Sequence, residues 1–220
     1  MTTLFLFDIE GTTTDFNFVH KVLFPYSRRR LREFVSSHGQ ELKASLTEVQ
    51  KTIAEEKLTA SVADTLISWI DQDRKHKALK DIQGLIWDEG YRNGDFQGHV
   101  YEDVRPFFEG IKRSGKKIGI YSSGSVKAQK LILGYSTAGD LTPLVDFYFD
   151  TSVGHKREAQ SYRNIAAETT LPPSEIHFFS DVPEELQAAQ EAGLIVTHVL
   201  RDGTKPSAYA GVGSFSEVSL

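Results

Sequence analysis

The sequence predicts an α/β protein: a Rossmann-like parallel sheet core flanked by helices, with a helical cap inserted after strand 1. Five short apolar runs, each ended by polar or turn residues, read as strands: Leu4–Phe7, Ile118–Tyr121, Phe147–Phe149, Ile176–Phe179 and Leu194–Val199. Helical periodicity separates most of them, and strands apolar on both faces that alternate with helices form parallel sheets covered on both sides. Between Asp8 and the element near Val104, the chain is far longer than the roughly dozen residues a crossover needs, and it has helical spacing of its own.

The elements follow in order. Strand one leads into Asp8-Ile9-Glu10-Gly11-Thr12-Thr13. In the insert, helices are expected over Phe18–Phe34, Leu42–Glu56 and Ser61–Ile70, and Gly84, Gly90, Gly94 and Gly98 punctuate its end. Arg105–Ser114 precedes strand two, with Phe107, Phe108 and Ile111 at helical spacing. Val126–Leu133 follows strand two, Glu158–Glu168 follows strand three, and Pro183–Ala192 follows strand four. The expected domains are an α/β core of residues 1–14 and 100–220 and a helical cap of residues 15–99. The Gly/Ser-rich tail from Thr204 to Leu220 reads as a loop with a poorly packed end.

Composition narrows the function. The 220 residues contain no cysteine, which removes disulfides, thiolate metal sites and cysteine nucleophiles together. The formal net charge of −5 argues against a protein that coats nucleic acid, and Arg28-Arg29-Arg30-Leu31-Arg32 reads as a solvated helix face. The seven histidines lack metal-ligand spacing, and neither a dinucleotide fingerprint nor a Walker loop is present. No run approaches the roughly 18 apolar residues of a membrane span, and Met1–Asp8 has no basic start. The expectation is a cytoplasmic protein without membrane or nucleic-acid partners, with nothing that demands more than a monomer.

Ligands of open parallel sheets bind beyond the carboxyl ends of the strands. Strand one ends at Asp8, strand two at Ser122-Ser123-Gly124-Ser125 and strand four at Ser180-Asp181-Val182-Pro183-Glu184-Glu185. Strand three is followed by Thr151-Ser152-Val153-Gly154-His155-Lys156. Singly, these are turn residues, helix caps and a surface lysine. Caps and turns do not require the order carboxylate, hydroxyl, lysine, carboxylate over four strand ends. Phosphoryl transfer asks for these groups. A carboxylate such as Asp8 can attack phosphorus, and Asp8 with Asp181 can ligate a hard dication that separates two anions. The Lys156 ammonium, the Ser122 hydroxyl and nearby backbone N–H groups suit the phosphate oxygens. Glu10 can protonate a leaving alkoxide and then activate water, and Gly11 lets the chain turn so that both acids face the site.

With Asp8/Glu10, Ser122, Lys156 and Asp181 in that order, the chain resembles the haloacid dehalogenase superfamily. General members carry Asp-x-Asp, where this chain has Asp8-Ile9-Glu10. That departure, with Phe18-Val19, Leu23-Phe24-Pro25-Tyr26, Gln83–Trp87, Gly90-Tyr91, Gly98–Tyr101, Tyr121–Ser125, Ala128–Leu131, Gly154–Lys156 and Ser161-Tyr162, resembles the enolase-phosphatase (acireductone synthase) family of methionine salvage. Asp15-Phe16-Asn17 departs from the Pro-initiated turn expected there.

The resemblance implies a bifunctional enzyme with one Mg2+ per chain that acts on 2,3-diketo-5-methylthiopentyl-1-phosphate. The diketone is enolised, then dephosphorylated to 1,2-dihydroxy-3-keto-5-methylthiopentene. By the same resemblance, Asp8, Glu10 (through its backbone carbonyl) and Asp181 match metal positions, and Ser122, Ser123 and Lys156 match substrate-binding positions. Asp8 matches the nucleophile, and Glu185 an acid that orients Lys156 or a metal-bound water. Glu10 and Lys156 are both candidate bases for enolisation. The insert is expected to act as a lid, with Trp87, Tyr91, His99 and Tyr101 as candidate substrate contacts. Two alternatives stay open: a capped phosphatase of another small phosphomonoester, and a receiver-like signalling module phosphorylated on Asp8. Glu10 and the insert speak against the second.

Overall fold

The computed structural model describes residues 2–220 and divides into two compact units, Met1–Phe16 with Gln97–Leu220, and Asn17–Phe96.

The first unit is a six-stranded, all-parallel sheet in the order β3-β2-β1-β4-β5-β6. The strands are β1 (Leu4–Phe7), β2 (Lys117–Tyr121), β3 (Phe147–Phe149), β4 (Ile176–Ser180), β5 (Ile195–Val199) and β6 (Gly211–Val212). Because side chains alternate across a strand, β1 serves two cores. Leu4 and Leu6 join Tyr121, Phe149, Phe178, Tyr162, Ile165 and Leu186 in one apolar cluster. Phe5 and Phe7 face the other way, stacking on Phe179 and meeting Phe107 edge-on.

Helices cover both faces. Val104–Arg113 brings Phe107 and Phe108 to the phenylalanine side, while Ala159–Thr169 and Pro183–Glu191 supply Tyr162, Ile165 and Leu186 to the other. Val126–Gly134 begins at Ser125, whose hydroxyl accepts from the Ala128 N–H. The strand order places β1 centrally, so the residue after Phe7 emerges between the ends of β2 and β4.

The second unit is helical. A short turn, Phe16–Phe18, spans the boundary and runs through a π-helical turn (Val19–Leu23) into Phe24–Ser37, followed by Lys43–Glu55, Val62–Asp71 and Lys77–Asn93. Leu31, Phe34, Val49, Leu66, Trp69, Ile82 and Ile86 are buried between these helices.

Two expectations are corrected. Gly84 and Gly90, read as punctuation, lie inside the 17-residue helix Lys77–Asn93, and only Gly94 ends it, in the left-handed conformation. A helical glycine costs only about 1 kcal/mol relative to alanine, and buried Leu79, Ile82, Ile86 and Trp87 outweigh it. Gly90 is also a packing requirement, since a Cβ there would meet Phe96 at 2.7 Å and Tyr26 at 2.9 Å. The second correction concerns the tail. It adds β6 beside β5 and then a short turn, Phe215–Glu217, capped by Ser214, with the Phe215 ring fully buried. A two-residue strand has no period to detect, and one aromatic supplies the anchor.

Candidate active site

Asp8 is buried one residue beyond β1, where its backbone N–H donates to the Phe179 carbonyl at 3.0 Å. The following loop closes tightly, with the N–H groups of Thr12, Thr13 and Thr14 all directed to the Ile9 carbonyl. Gly11 has φ +75°, and a Cβ there would lie 2.2 Å from Asp181 Oδ2, so glycine is required both for the turn and for the approach of Asp181. Thr13 Oγ1 donates to the Asp8 carbonyl at 3.0 Å. Thr12 joins the two strand ends: its hydroxyl donates to Asp181 Oδ1 at 3.2 Å and accepts the Asp181 N–H at 3.0 Å.

Lys156 is buried between two carboxylates, with Nζ 2.6 Å from Asp8 Oδ1 and 2.7 Å from Glu185 Oε2. Its backbone is held by three hydroxyls on three consecutive carbonyls. Tyr121 donates to Gly154 at 3.0 Å, Ser161 to His155 at 2.7 Å and Tyr162 to Lys156 at 2.7 Å. Gly154 permits this closeness, since a Cβ would sit 2.2 Å from Ser161 Oγ. Glu185 lies in the first turn of Pro183–Glu191 and also accepts from Ser180 Oγ at 2.9 Å.

Burial alone would push the Lys156 ammonium down, but the charges of Asp8 and Glu185 outweigh it and hold it protonated. Burial and then the Asp8 charge push Glu185 up to about 7, with Lys156 opposing. Asp181 rises to about 6 through burial and, second, the Asp8 charge.

Ser122 is buried at the end of β2, its N–H on the Phe149 carbonyl at 3.2 Å and its hydroxyl accepting the Gly124 N–H at 3.2 Å. Ser123 is exposed, and Glu10 is half-buried in the loop after Asp8. Gln129 secures the Ser122–Gly124 loop, its amide nitrogen donating to the carbonyls of Gly124 (2.9 Å) and Phe149 (2.8 Å). Of the four aromatic candidates, Trp87 and Tyr91 are buried in the helical unit, where the Trp87 Nε1–H is spent on the Leu23 carbonyl at 2.9 Å. His99 and Tyr101 belong to the sheet unit, and His99 Nδ1 accepts the Asp15 N–H at 2.9 Å. Thr12, Ser180 and Gln129 were missed from sequence, because a Thr, a Ser or a Gln near a turn carries no chemical signature until its partners are known.

The residues fit a magnesium ion. Asp8 and Asp181 are hard oxygen donors close enough for one to raise the pKa of the other, and a dication relieves that repulsion. Among the described residues there is no group of three or more Asp, Glu or His to form a closed cage, and Mg2+ characteristically keeps several waters and few carboxylates.

An Asp181→Asn substitution should accordingly stabilise the metal-free protein. The folded carboxyl titrates at about 6 against 3.8 unperturbed, so the folded state retains a proton that the unfolded chain releases, and stability falls as pH rises through that window. At pH 7.5 in chelator, asparagine is expected to add about 2 kcal/mol, read as a higher Tm, with most of that gain lost at pH 4. An equal gain at both pH values would rule out this electrostatic account.

Residues 2–193 match the family described as haloacid dehalogenase-like hydrolase. An Enolase-phosphatase E1 of Stenotrophomonas maltophilia is 56% identical over 191 residues, covering 86% of this chain and 83% of the relative. One from Citrobacter koseri is 49% identical over 216 residues, covering 96% and 94%. The crystal structure of the UTR4 protein of Saccharomyces cerevisiae, 32% identical, superposes with a TM-score of 0.84 over 99% of this chain and 100% of that one. The fold is that of a haloacid dehalogenase-like hydrolase, and the chain belongs to that class. Within that class, this enzyme belongs to the enolase-phosphatase family.

Proposed function

We propose that the enzyme is a Mg2+-dependent enolase-phosphatase that converts 2,3-diketo-5-methylthiopentyl-1-phosphate to 1,2-dihydroxy-3-keto-5-methylthiopentene and phosphate. The observation that carries the reading is Lys156, buried and charged between Asp8 and Glu185 at the end of the central strand. Asp8, Asp181 and the Glu10 carbonyl would hold the ion. When bound, Mg2+ screens the repulsion between the Asp8 carboxylate and the phosphate and polarises the oxygens of both.

The chain's own groups account for both half-reactions. Lys156 keeps its proton, which leaves Glu10 as the base for enolisation. Glu10 takes a proton from the carbon bearing the phosphate, the electron pair moves onto the adjacent ketone oxygen, and that oxygen takes up the proton. Lys156 stabilises the developing enolate charge. Asp8 then attacks phosphorus as the bond to the leaving oxygen breaks, and Glu10, reprotonated from solvent, supplies the proton to that oxygen. The Ser122 hydroxyl, Ser123 and nearby N–H groups bind the phosphate oxygens. A water deprotonated by Glu10 attacks the aspartyl phosphate, releasing phosphate and restoring the Asp8 carboxylate.

The partner is thus a small phosphorylated diketone, and the enzyme is assigned to the cytoplasm as a monomer without nucleic-acid or membrane partners. No helix among the described residues is long and apolar enough to cross a membrane. Three of the four arginines of the basic run are paired within the helical unit, Arg28 with Asp71, Arg30 with Glu89 and Arg32 with Asp64. The direct test is phosphate release from the diketone phosphate against common sugar phosphates, with enediol absorbance followed in parallel. Equal rates on sugar phosphates, with no enediol signal, would overturn the substrate assignment.

A further inference from the structure

Arg201 follows β5, beyond the segment that matches the hydrolase family, and its side chain is only 8% exposed. Its Nε donates to the Thr12 carbonyl at 3.0 Å. The other two nitrogens grip Asp103 in a two-point pair at 2.9 and 3.0 Å, and Nη1 also reaches the Gly213 carbonyl at 3.3 Å. The guanidinium is sandwiched between Tyr101 at 4.2 Å and Phe215 at 4.9 Å. Asp103 is fully engaged as well, accepting the Phe215 N–H at 2.8 Å and Ser214 Oγ at 3.1 Å.

This is a costly arrangement if its only purpose is stability, since well-packed apolar residues commonly do as well as a buried ion pair. Beyond Asp103 and the Gly213 carbonyl, the charge makes one bond into the loop that follows β1, to the carbonyl of Thr12. Thr12 is also the residue whose hydroxyl holds both the N–H and the carboxylate of Asp181. The same end of β5 reaches Asp181 a second way, through His198 Nε2 at 3.0 Å from its carbonyl oxygen. Both sides of the Thr12–Asp181 contact are therefore braced from the C-terminal segment.

We propose that Arg201, locked by Asp103 and the Phe215 turn, is a positioning residue that sets the affinity of the site for its divalent cation by fixing Thr12 against Asp181. The inference rests on the assignment of Asp181 as a metal ligand. Partners one shell beyond metal ligands typically change affinity by about 10- to 100-fold when removed.

The test is calorimetric titration of Mg2+ into the metal-free enzyme, with kcat measured at saturating Mg2+. Arg201→Gln is expected to weaken binding about tenfold while kcat at saturation stays within about twofold, and Arg201→Lys should recover part of the loss. Asp103→Asn keeps an acceptor oxygen for the Phe215 N–H but loses the charge that orients Arg201, and should weaken binding in the same direction. It decides the matter should Arg201→Gln not fold. Arg113→Gln, a change at an exposed surface arginine, should bind as the unaltered enzyme does. Affinities within twofold of the unaltered enzyme for the Arg201 and Asp103 variants would overturn the proposal. Absence of any Mg2+ binding by the unaltered enzyme would overturn the ligand assignment and this inference with it, and would be seen before any variant is compared.

Discussion

An Asp8→Asn enzyme is expected to lose phosphate release from the diketone phosphate by about 10,000-fold or more, because an amide oxygen cannot form the acyl phosphate. The fold should survive. Asparagine keeps an oxygen for the Ile9 N–H and for Lys156, which sit 2.7 and 2.6 Å from Asp8 Oδ1. It also removes one of the charges that push Asp181 and Glu185 upward, so the metal-free variant should be no less stable than the parent. Glu10 remains as the proposed enolisation base, so the enol phosphate is expected to accumulate, visible as absorbance of the conjugated enol without inorganic phosphate. Phosphate release at the parental rate would exclude Asp8 as the nucleophile.

Replacing Lys156 by methionine should damage both function and stability, with the second effect depending on pH. Phosphatase activity is expected to fall about 1,000-fold through loss of the charge that offsets the developing anions. Removing one partner of a buried ionic cluster costs about 3–5 kcal/mol, which for a chain of this size lowers Tm by about 10 °C. The sign against pH follows from Glu185, already raised to about 7 by burial and the Asp8 charge. Without Lys156 it rises further, so the folded variant retains protons that the unfolded chain gives up. The Tm deficit should therefore be small at pH 5 and grow through pH 8, in a series of thermal melts in chelator. A deficit independent of pH would mean that lost packing, not charge, is what the lysine contributes.

Much of the sheet was legible because strand signals are local. The reading of β1 as Leu4–Phe7 and β3 as Phe147–Phe149 matches the structure residue for residue, and β2, β4 and β5 differ by one residue at an end. Each is a short apolar run stopped by a turn, which is all that a doubly covered parallel strand requires. The helix Lys77–Asn93 was obscured by its glycines, whose cost is local while the packing of Ile82 and Ile86 that offsets it is not. The tail was obscured for the converse reason. Its order comes from Phe215 beneath Phe7 and from Asp103, 111 residues upstream of Ser214.

The residue types at the strand ends were legible too. Which strand ends carry a carboxylate, a hydroxyl or a lysine can be read along the chain, as can the family likeness, because residue type and order need no coordinates. Who touches whom could not be read. Lys156 meets Asp8 and Glu185 only because β1 lies between β2 and β4, bringing together groups far apart in sequence. Thr12 joins Asp181, and Arg201 joins Thr12, by the same non-local pairing. Those contacts depend on strand order and burial, quantities that exist only once the chain has closed on itself, and they set the charge of Lys156 and the spacing of the two acids.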